Sequence, residues 1–307
     1  MGNTDYKIKI LSIGLALFLL NTTKSQPNAP VKKLAPDVYF YAGNELLQKS
    51  ANCLWVVFKD YVLAVDANYP WGAQEILEEI KKTTDKPVRF IFNTHYHHDH
   101  SFGNSVFVDE GAIVVASATT SDEMKTVGQI EWSRGTAYSG RDMKRYRREF
   151  PTITFDQQLV FDDGTHKVIL FKMGPGHTAG DAVAYLPNEK ILATGDLCVN
   201  GNPWGNNVAD VNADYDHWLV ALDSLYTWDI AQVIPGHGDI GSKTILKLQR
   251  EYLADMYTQV KDGIHAGKSK EELVNQINLS MHPVRGSNTI STTRSIKAMY
   301  DRLIGKK

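Results

Sequence analysis

Residues 93–104 read NTHYHHDHSFGN and contain a dense group of side chains that bind metals. Four of the ten histidines and one aspartate lie between His95 and His100. Imidazole nitrogen and carboxylate oxygen are donors that suit zinc. The spacing allows His95 and His97 to hold one cation while Asp99 and His100 face a second. A structural zinc site is normally closed and rich in cysteine, and this segment has no nearby thiol pair.

Three later segments place a histidine or an aspartate just beyond a predicted strand. They are GPGHTAGD with His177, ATGDLCVN with Asp196, and IPGHGD with His237. A lone histidine at a strand end is usually a surface or hydrogen-bonding residue, but four segments of this character favour one shared site. Loops that follow strands are also where α/β folds carry functional side chains.

The elements that must position these segments alternate between short apolar strands and helices. Apolar runs predict buried strands over 51–58, 61–67, 87–95 and 111–117, and helical periodicity predicts helices over 71–82, 243–265 and 290–304. The polar, basic stretch over 119–149 is also predicted to be helical. Two sheet-containing halves with helices outside them predict a layered α/β sandwich.

The first 25 residues have the composition of a secretory signal. Lys7 and Lys9 precede an apolar run over residues 10–20, and small and polar residues follow it. This run is shorter than the roughly 20 residues that a membrane-spanning helix needs. We expect a signal peptide over 1–25, cleavage after Ser25, and a mature protein that is periplasmic or secreted and has no membrane contact after cleavage. A buried N-terminal helix is the alternative.

Charge and cysteine content restrict the partners. The chain carries a formal net charge of −2, and removal of residues 1–25 takes away three lysines and one aspartate. This slightly negative net charge gives no general attraction to nucleic acid, so a small-molecule substrate is expected. The oligomeric state stays open. Cys53 and Cys198 each lie in an apolar stretch, which favours unpaired burial over a disulfide. Cys198 is not expected to be a metal ligand.

The motif set resembles the metallo-β-lactamase superfamily over roughly residues 36–242. The resemblance implies an αββα four-layer sandwich with the metals at one edge, between the two sheets. It implies a catalytic domain over 26–241, with a helical C-terminal extension over 242–307 packed on the same domain. By this resemblance two zinc ions bind per chain: the first to His95, His97 and His177, the second to Asp99, His100 and His237, with Asp196 bridging both and Asp66 orienting the ligands.

The chemistry that the resemblance implies is hydrolysis. Zinc lowers the pKa of bound water to about 7 and so provides hydroxide at neutral pH. Asp99 is the implied catalytic residue, which orients the hydroxide and then transfers a proton. Members of the family that bind redox-active iron carry glutamate at the place of His97, so histidine here favours zinc.

The class of bond that the protein would cut stays open among three alternatives. A β-lactam-type cyclic amide is the first, since residues 174–200 resemble the corresponding stretch of secreted zinc β-lactamases. The subclass of zinc β-lactamases with the most similar motifs, however, has different residues at three positions. It carries cysteine at the position of Asp196, arginine at the position of His100, and a lysine that pairs with the carboxylate of the drug at the position of Asn200. A lactone, ester or thioester is the second class, and a phosphate or sulfate ester is the third. A metal-binding or relay module without turnover is the non-enzymatic alternative.

Candidate substrate contacts flank the motifs. Trp71 and Trp204 could supply apolar surface, and Asn206 or Asn207 a hydrogen-bond donor. The same residues could equally be ordinary core or surface. The run RDMKRYRR over 141–148 could meet an anionic substrate, but such a run more often forms the solvated face of a helix.

Overall fold

The computed structural model describes residues 1, 31–44, 51–201, 208–282 and 289–305. The predicted signal peptide, apart from its first residue, lies outside the described residues. The predicted substrate contacts Trp204, Asn206 and Asn207 lie outside them as well. Within the described ranges, every helix is too short or too polar to cross a membrane.

A seven-stranded sheet is built from the first half of the chain. Its strands, in spatial order, are β1 (Val31–Ala35), β2 (Val38–Tyr41), β3 (Cys53–Val57), β4 (Val62–Val65), β5 (Val88–Phe92), β6 (Ile113–Ser117) and β7 (Ile153–Phe155). Strands β1 to β4 pair antiparallel, whereas β4 to β7 pair parallel. Because parallel strands end at the same edge of a sheet, the segments after β4 and β5 lie side by side there.

A second, five-stranded sheet is built from the second half. Its strands are β8 (Gln158–Asp162), β9 (Lys167–Lys172), β10 (Ala182–Leu186), β11 (Ile191–Ala193) and β13 (Gln232–Ile234), in the spatial order β13-β11-β10-β9-β8. Strands β11 and β13 are parallel, so the loops that follow them also meet at one edge. A short parallel pair, β12 (Val199–Asn200) with β14 (His237–Gly238), joins those two loops.

Helices cover the outer face of each sheet. They are α1 (Pro70–Thr83), α2 (His98–Ser101), α3 (Asn104–Asp109), α4 (Ala118–Lys125), α5 (Val127–Ser139), α6 (Tyr215–Thr227), α7 (Thr244–His265), α8 (Lys270–Gln276) and α9 (Thr289–Gly305). Side chains of the two sheets form one apolar core between them, α1 and α3 close a second core on the first sheet, and α6, α7 and α9 close a third on the other sheet. This layering confirms the predicted αββα sandwich with helices at its C-terminal end.

The C-terminal helices share a core with the rest of the fold. Leu225 of α6, Met256 of α7 and Met299 of α9 are buried in the same apolar cluster. The division into a catalytic domain over 26–241 and an extension over 242–307 stays a prediction. Helix α7 packs against α6, α9 packs against α7, and α8 packs against α9.

The polar stretch over 119–149 differs from the prediction of a helix throughout. Helix α5 ends at Gly140, whose φ of 66° is a left-handed conformation that glycine adopts without steric cost. Beyond it the basic run contains only a 3-10 turn at Met143–Arg145. The run therefore does not form the face of a continuous helix. Arg141 instead lies over the Trp71 ring, 4.6 Å from its centroid.

Candidate metal centre

The segment after β5 turns directly into α2, and this turn gathers the histidine cluster. The Thr94 backbone N–H and hydroxyl both donate to the Asp66 carboxylate at the end of β4, the N–H over 2.8 Å. The side chains of His95, His97, Asp99 and His100 are buried behind this anchor. Helix α2 begins at residue 98 and so brings the last two of them to one side of the turn.

The first group of candidate ligands contains His95, His97, His177 and Asp196. One donor atom from each lies within 4.8 Å of the others. The Nδ1 atom of His97 is 3.1 Å from Nε2 of His95 and 3.0 Å from Nε2 of His177. A tetrahedral zinc ion with bonds near 2.0–2.1 Å separates its ligand atoms by about 3.3 Å. The donor set and its spacing therefore fit one zinc ion.

The second group contains Asp99, His100 and His237, which are also buried. The Nε2 atom of His237 is 3.3 Å from Nε2 of His100 and 3.3 Å from Oδ2 of Asp99. Asp196 lies between the groups, with Oδ1 at 3.2 Å from Nε2 of His100 and Oδ2 at 3.6 Å from Nε2 of His177. The structure thus brings together all seven residues that the sequence predicted, with Asp196 between the two groups.

Electrostatics hold several of these groups in the form that binds a cation. Burial lowers the pKa of His95 and lowers that of His177 to about 4, which keeps both imidazoles neutral. Burial opposes ionisation of Asp99 and Asp196, but the surrounding histidines outweigh it and hold the pKa of each carboxyl well below its usual value. Neutral imidazoles and ionised carboxylates are the metal-binding forms.

Two other histidines are held protonated by neighbouring carboxylates. Burial disfavours the charge on His97, but Glu131 and Asp210 outweigh it and raise the pKa to about 10. Asp66 is the main carboxylate that does the same for His100, whose pKa is also raised to about 10. A bound divalent cation would take the place of these protons.

Hydrogen bonds to the outward ring nitrogens orient three of the histidines. Oδ2 of Asp66 is 2.8 Å from Nδ1 of His100, and the Thr94 hydroxyl is 3.0 Å from Nδ1 of His95. Oδ2 of Asp210 is 2.9 Å from Nε2 of His97. In each of these histidines the other ring nitrogen faces the candidate ligand atoms of the cluster. Carboxylate partners of this kind fix the tautomer and the direction of a histidine ligand.

Sequence reasoning missed Asp210. It lies just after residues 202–207, is 8% exposed, and also accepts a hydrogen bond of 2.5 Å from the Tyr96 hydroxyl. The partners Asp210 and His97 are 113 positions apart in the chain. The stretch around Asp210 carries no motif that distinguishes it from other loop acids.

Trp71 belongs to a stack of aromatic rings beside the cluster. It is 7% exposed, stacks on Tyr69 with ring centroids 4.9 Å apart, and is covered by Arg141. Tyr69 in turn stacks on His98, so two rings connect Trp71 to the cluster. Its role as a direct substrate contact stays a prediction.

The two cysteines are buried and unpaired, as predicted. The Sγ atom of Cys198 faces the carbonyl oxygen of Ile245 at 3.6 Å, and burial raises the pKa of the thiol. Neither cysteine belongs to the groups of potential metal ligands found among the described residues.

These features define a metallo-hydrolase fold with a cluster of metal-binding histidines and aspartates. Residues 47–237 match the family model of the metallo-beta-lactamase superfamily. The chain therefore belongs to that superfamily.

Curated relatives act on different small molecules. The linear primary-alkylsulfatase of Pseudomonas sp. is 25% identical over 247 residues, which are 68% of this chain and 46% of that protein. The metallo-beta-lactamase type 2 of Elizabethkingia meningoseptica is 22% identical over 261 residues, which are 82% of this chain and 96% of that protein. The chain thus spans less than half of the alkylsulfatase and nearly all of the β-lactamase.

Solved structures show the same fold. The metallo-beta-lactamase from Pontibacter korlensis superposes with a TM-score of 0.59 at 24% identity, covering 73% of this chain and 98% of that one. A double mutant of the sec-alkyl sulfatase PisA1 superposes with a TM-score of 0.71 at 17% identity, covering 91% of this chain and 51% of that one. At these identities the likeness concerns the fold alone.

Proposed function

We propose that this protein is an exported hydrolase that binds two zinc ions and cleaves a bond in a small-molecule substrate. The observation that supports the proposal most strongly is the position of Asp196. Its two carboxylate oxygens face two separate groups of donor atoms, Oδ1 toward His100 and Oδ2 toward His177. A carboxylate between two sets of imidazoles is suited to hold a pair of cations.

The residues divide into two sets of ligands. His95, His97 and His177 would hold one ion, Asp99, His100 and His237 the other, and Asp196 both. Zinc, when bound, supplies Lewis acidity and lowers the pKa of water to about 7.

Asp99 is the candidate catalytic residue. Asp99 is 8% exposed and lies on the side of the cluster formed by α2, where the neighbouring histidines outweigh burial and hold the pKa of its carboxyl well below its usual value. A carboxylate in this position can orient a water molecule and accept its proton. The buried histidines around it limit access of bulk water to the proton during the transfer.

Hydrolysis of a β-lactam-type cyclic amide is the first candidate reaction. The alignment with the Elizabethkingia meningoseptica β-lactamase covers 96% of that protein, so nearly all of its sequence aligns with this chain. Asn200, which the sequence analysis placed at the position of a substrate-binding lysine, donates instead to the carbonyl oxygen of Asp239. A neutral side chain there predicts weak attraction for the carboxylate of such a drug.

Hydrolysis of a sulfate ester is the second candidate, and the C-terminal helices favour it. The sulfatase superposition covers 91% of the chain, a share that cannot be reached without residues beyond 242. The Pontibacter korlensis β-lactamase superposition covers only 73%. The alkylsulfatase of Pseudomonas sp. matches 68% of the chain at 25% identity.

One panel of substrates separates the candidates. Mature protein is assayed with a chromogenic cephalosporin, an alkyl sulfate, a lactone and a thioester, each with and without chelator. Chelator-sensitive turnover of the cephalosporin supports the β-lactamase assignment, and turnover of the sulfate alone supports the sulfatase assignment. Turnover of the lactone or thioester alone moves the function to the carboxylic ester class. Bound zinc without any turnover across a broad panel would favour the module that binds metal without catalysis.

Export is proposed from the sequence. Lys7 and Lys9, the apolar run over 10–20 and the polar residues up to Ser25 have the order of a signal peptide. N-terminal sequencing of protein expressed in an exporting host should find Gln26 as the first residue. A purified protein that retains residues 1–25 would contradict the proposal.

A further inference from the structure

His98 lies between the metal cluster and a set of aromatic rings, and the sequence analysis gave it no part in metal binding. Its Nδ1 atom is 3.0 Å from Oδ1 of Asp99 and 3.1 Å from the Tyr69 hydroxyl. Its side chain is 26% exposed. Its backbone N–H donates to the Glu131 carboxylate of α5 at 3.2 Å. His98 is therefore held at both its backbone and its ring.

The two carboxylate oxygens of Asp99 have different surroundings. Oδ1 lies 3.0 Å from Nδ1 of His98 and 4.0 Å from Nε2 of His100, whereas Oδ2 lies 3.3 Å from Nε2 of His237. Rotation about the last side-chain bond of aspartate is soft, because that torsion joins an sp³ and an sp² carbon. A hydrogen bond to Oδ1 from outside the cluster removes this freedom and directs Oδ2 toward His237.

The ring of His98 is itself fixed by neighbouring rings. Tyr69 stacks on one side, with centroids 5.3 Å apart and planes 17° from parallel, and Tyr138 of α5 lies 5.1 Å away. Tyr69 is backed by Trp71, with centroids 4.9 Å apart. Trp71 thus packs against the ring that stacks on His98.

We infer that His98 is a positioning residue, whose Nδ1–H holds Asp99 in the rotamer that presents Oδ2 to the second metal site. The inference rests on the proposed function, in which Asp99, His100 and His237 hold the second ion. His98 does not contact that ion. It acts on the ion only by holding Asp99. The ring nitrogen that makes this contact is Nδ1, the one nearer the main chain.

Two variants of His98 distinguish a role of Nδ1 from a role of Nε2. In His98→Asn the side-chain amide nitrogen occupies the place of Nδ1, whereas in His98→Gln it reaches the place of Nε2. We expect His98→Gln to weaken binding of the second metal by about 10–100-fold, the range for lost partners of metal ligands. His98→Asn should recover most of that loss, and affinity for the first metal should change little in either variant.

The measurement is a cobalt(II) titration of the full-length mature protein, in competition with a chelator and followed by ligand-field absorption, with thermal unfolding in parallel. His265→Gln, which removes an exposed histidine at the end of α7, is the matched control. Equal affinities for the second metal in wild type and His98→Gln would overturn the inference. Equal losses in the Asn and Gln variants, with a lowered unfolding temperature, would also overturn it and would indicate a packing role. A wild-type protein that binds fewer than two metals would overturn the proposed function itself.

Discussion

The carboxylate of Asp66 joins the end of β4 to both ends of the histidine segment. Its Oδ2 atom is 2.8 Å from Nδ1 of His100, and its Oδ1 atom accepts the Thr94 backbone N–H at 2.8 Å. The φ of Asp66 is 65°, a left-handed conformation that a non-glycine residue adopts at some cost. The strand end is therefore bent in the direction that brings this carboxylate under the cluster.

Replacement of Asp66 by alanine should weaken metal binding at the second site. His100 would lose the partner that fixes its tautomer and direction, and such losses reduce affinity by about 10–100-fold. Asp66→Asn keeps an acceptor for Thr94 but can place an amide donor opposite His100. It should therefore retain more thermal stability than Asp66→Ala while still binding the second metal weakly. Chelator competition and thermal unfolding measure the two effects, and unchanged affinity in Asp66→Ala would refute the role.

Asp210 should have the corresponding effect on the first site. Asp210→Asn removes the negative charge beside Nε2 of His97, so affinity for the first metal should fall by about tenfold or more. Tyr96→Phe removes only the hydroxyl that donates to Asp210 and should cause a smaller loss. Titration of both metals in each variant is the test. A loss of equal size at both sites would show that Asp210 acts through the overall fold rather than through His97.

Gly236 should not tolerate a side chain. Its backbone N–H donates to the Gly195 carbonyl at 2.9 Å, and a Cβ atom built on it would overlap Oδ1 of Asp196. Gly236→Ala should displace the bridging carboxylate and reduce the metal content of the purified protein. Gly305→Ala is the control, since a Cβ at that position meets no other described part of the chain, beyond its neighbours and its own helix backbone, within 4 Å. Full metal content in Gly236→Ala would mean that the loop can shift without disturbing Asp196.

Cys198 should be dispensable for metal binding. Its thiol is buried against the Ile245 carbonyl and burial raises its pKa, so it stays protonated. Cys198→Ser should bind metal as the wild type does, although the buried hydroxyl should lower stability by about 1–3 kcal/mol. Cobalt-substituted protein should show no strong thiolate charge-transfer absorption. A strong band that disappears in Cys198→Ser would identify the thiol as a ligand.

Sequence patterns predicted the ligand cluster because the relevant distances are short along the chain. His95, His97, Asp99 and His100 lie within one turn, and the other segments follow the short strands β9, β11 and β13, each of which contains an apolar run. Strands β3 and β4 are buried along their whole length, which produces the continuous apolar runs visible in the sequence. The helices α1, α7 and α9 were likewise evident from apolar spacing.

The contacts that orient the ligands could not be predicted in the same way. Asp210 meets His97 across 113 positions, and His98 meets Tyr69 across 29. Neither contact produces a periodic pattern in the local sequence. The prediction of a helix through the basic run after Gly140 was wrong. A run of polar residues does not show at which glycine the chain adopts a left-handed conformation and the helix ends.

The metal content of the mature protein, measured together with chelator-sensitive turnover, tests the central claim most directly. Wild type should contain about two zinc ions per chain, and a chelator should abolish turnover that added zinc restores. Asp196→Ala should retain at most one ion and lose at least about 100-fold in turnover, since removal of one group that stabilises the transition state typically costs this much. Wild-type protein without bound zinc, or Asp196→Ala with two ions and full turnover, would contradict the claim.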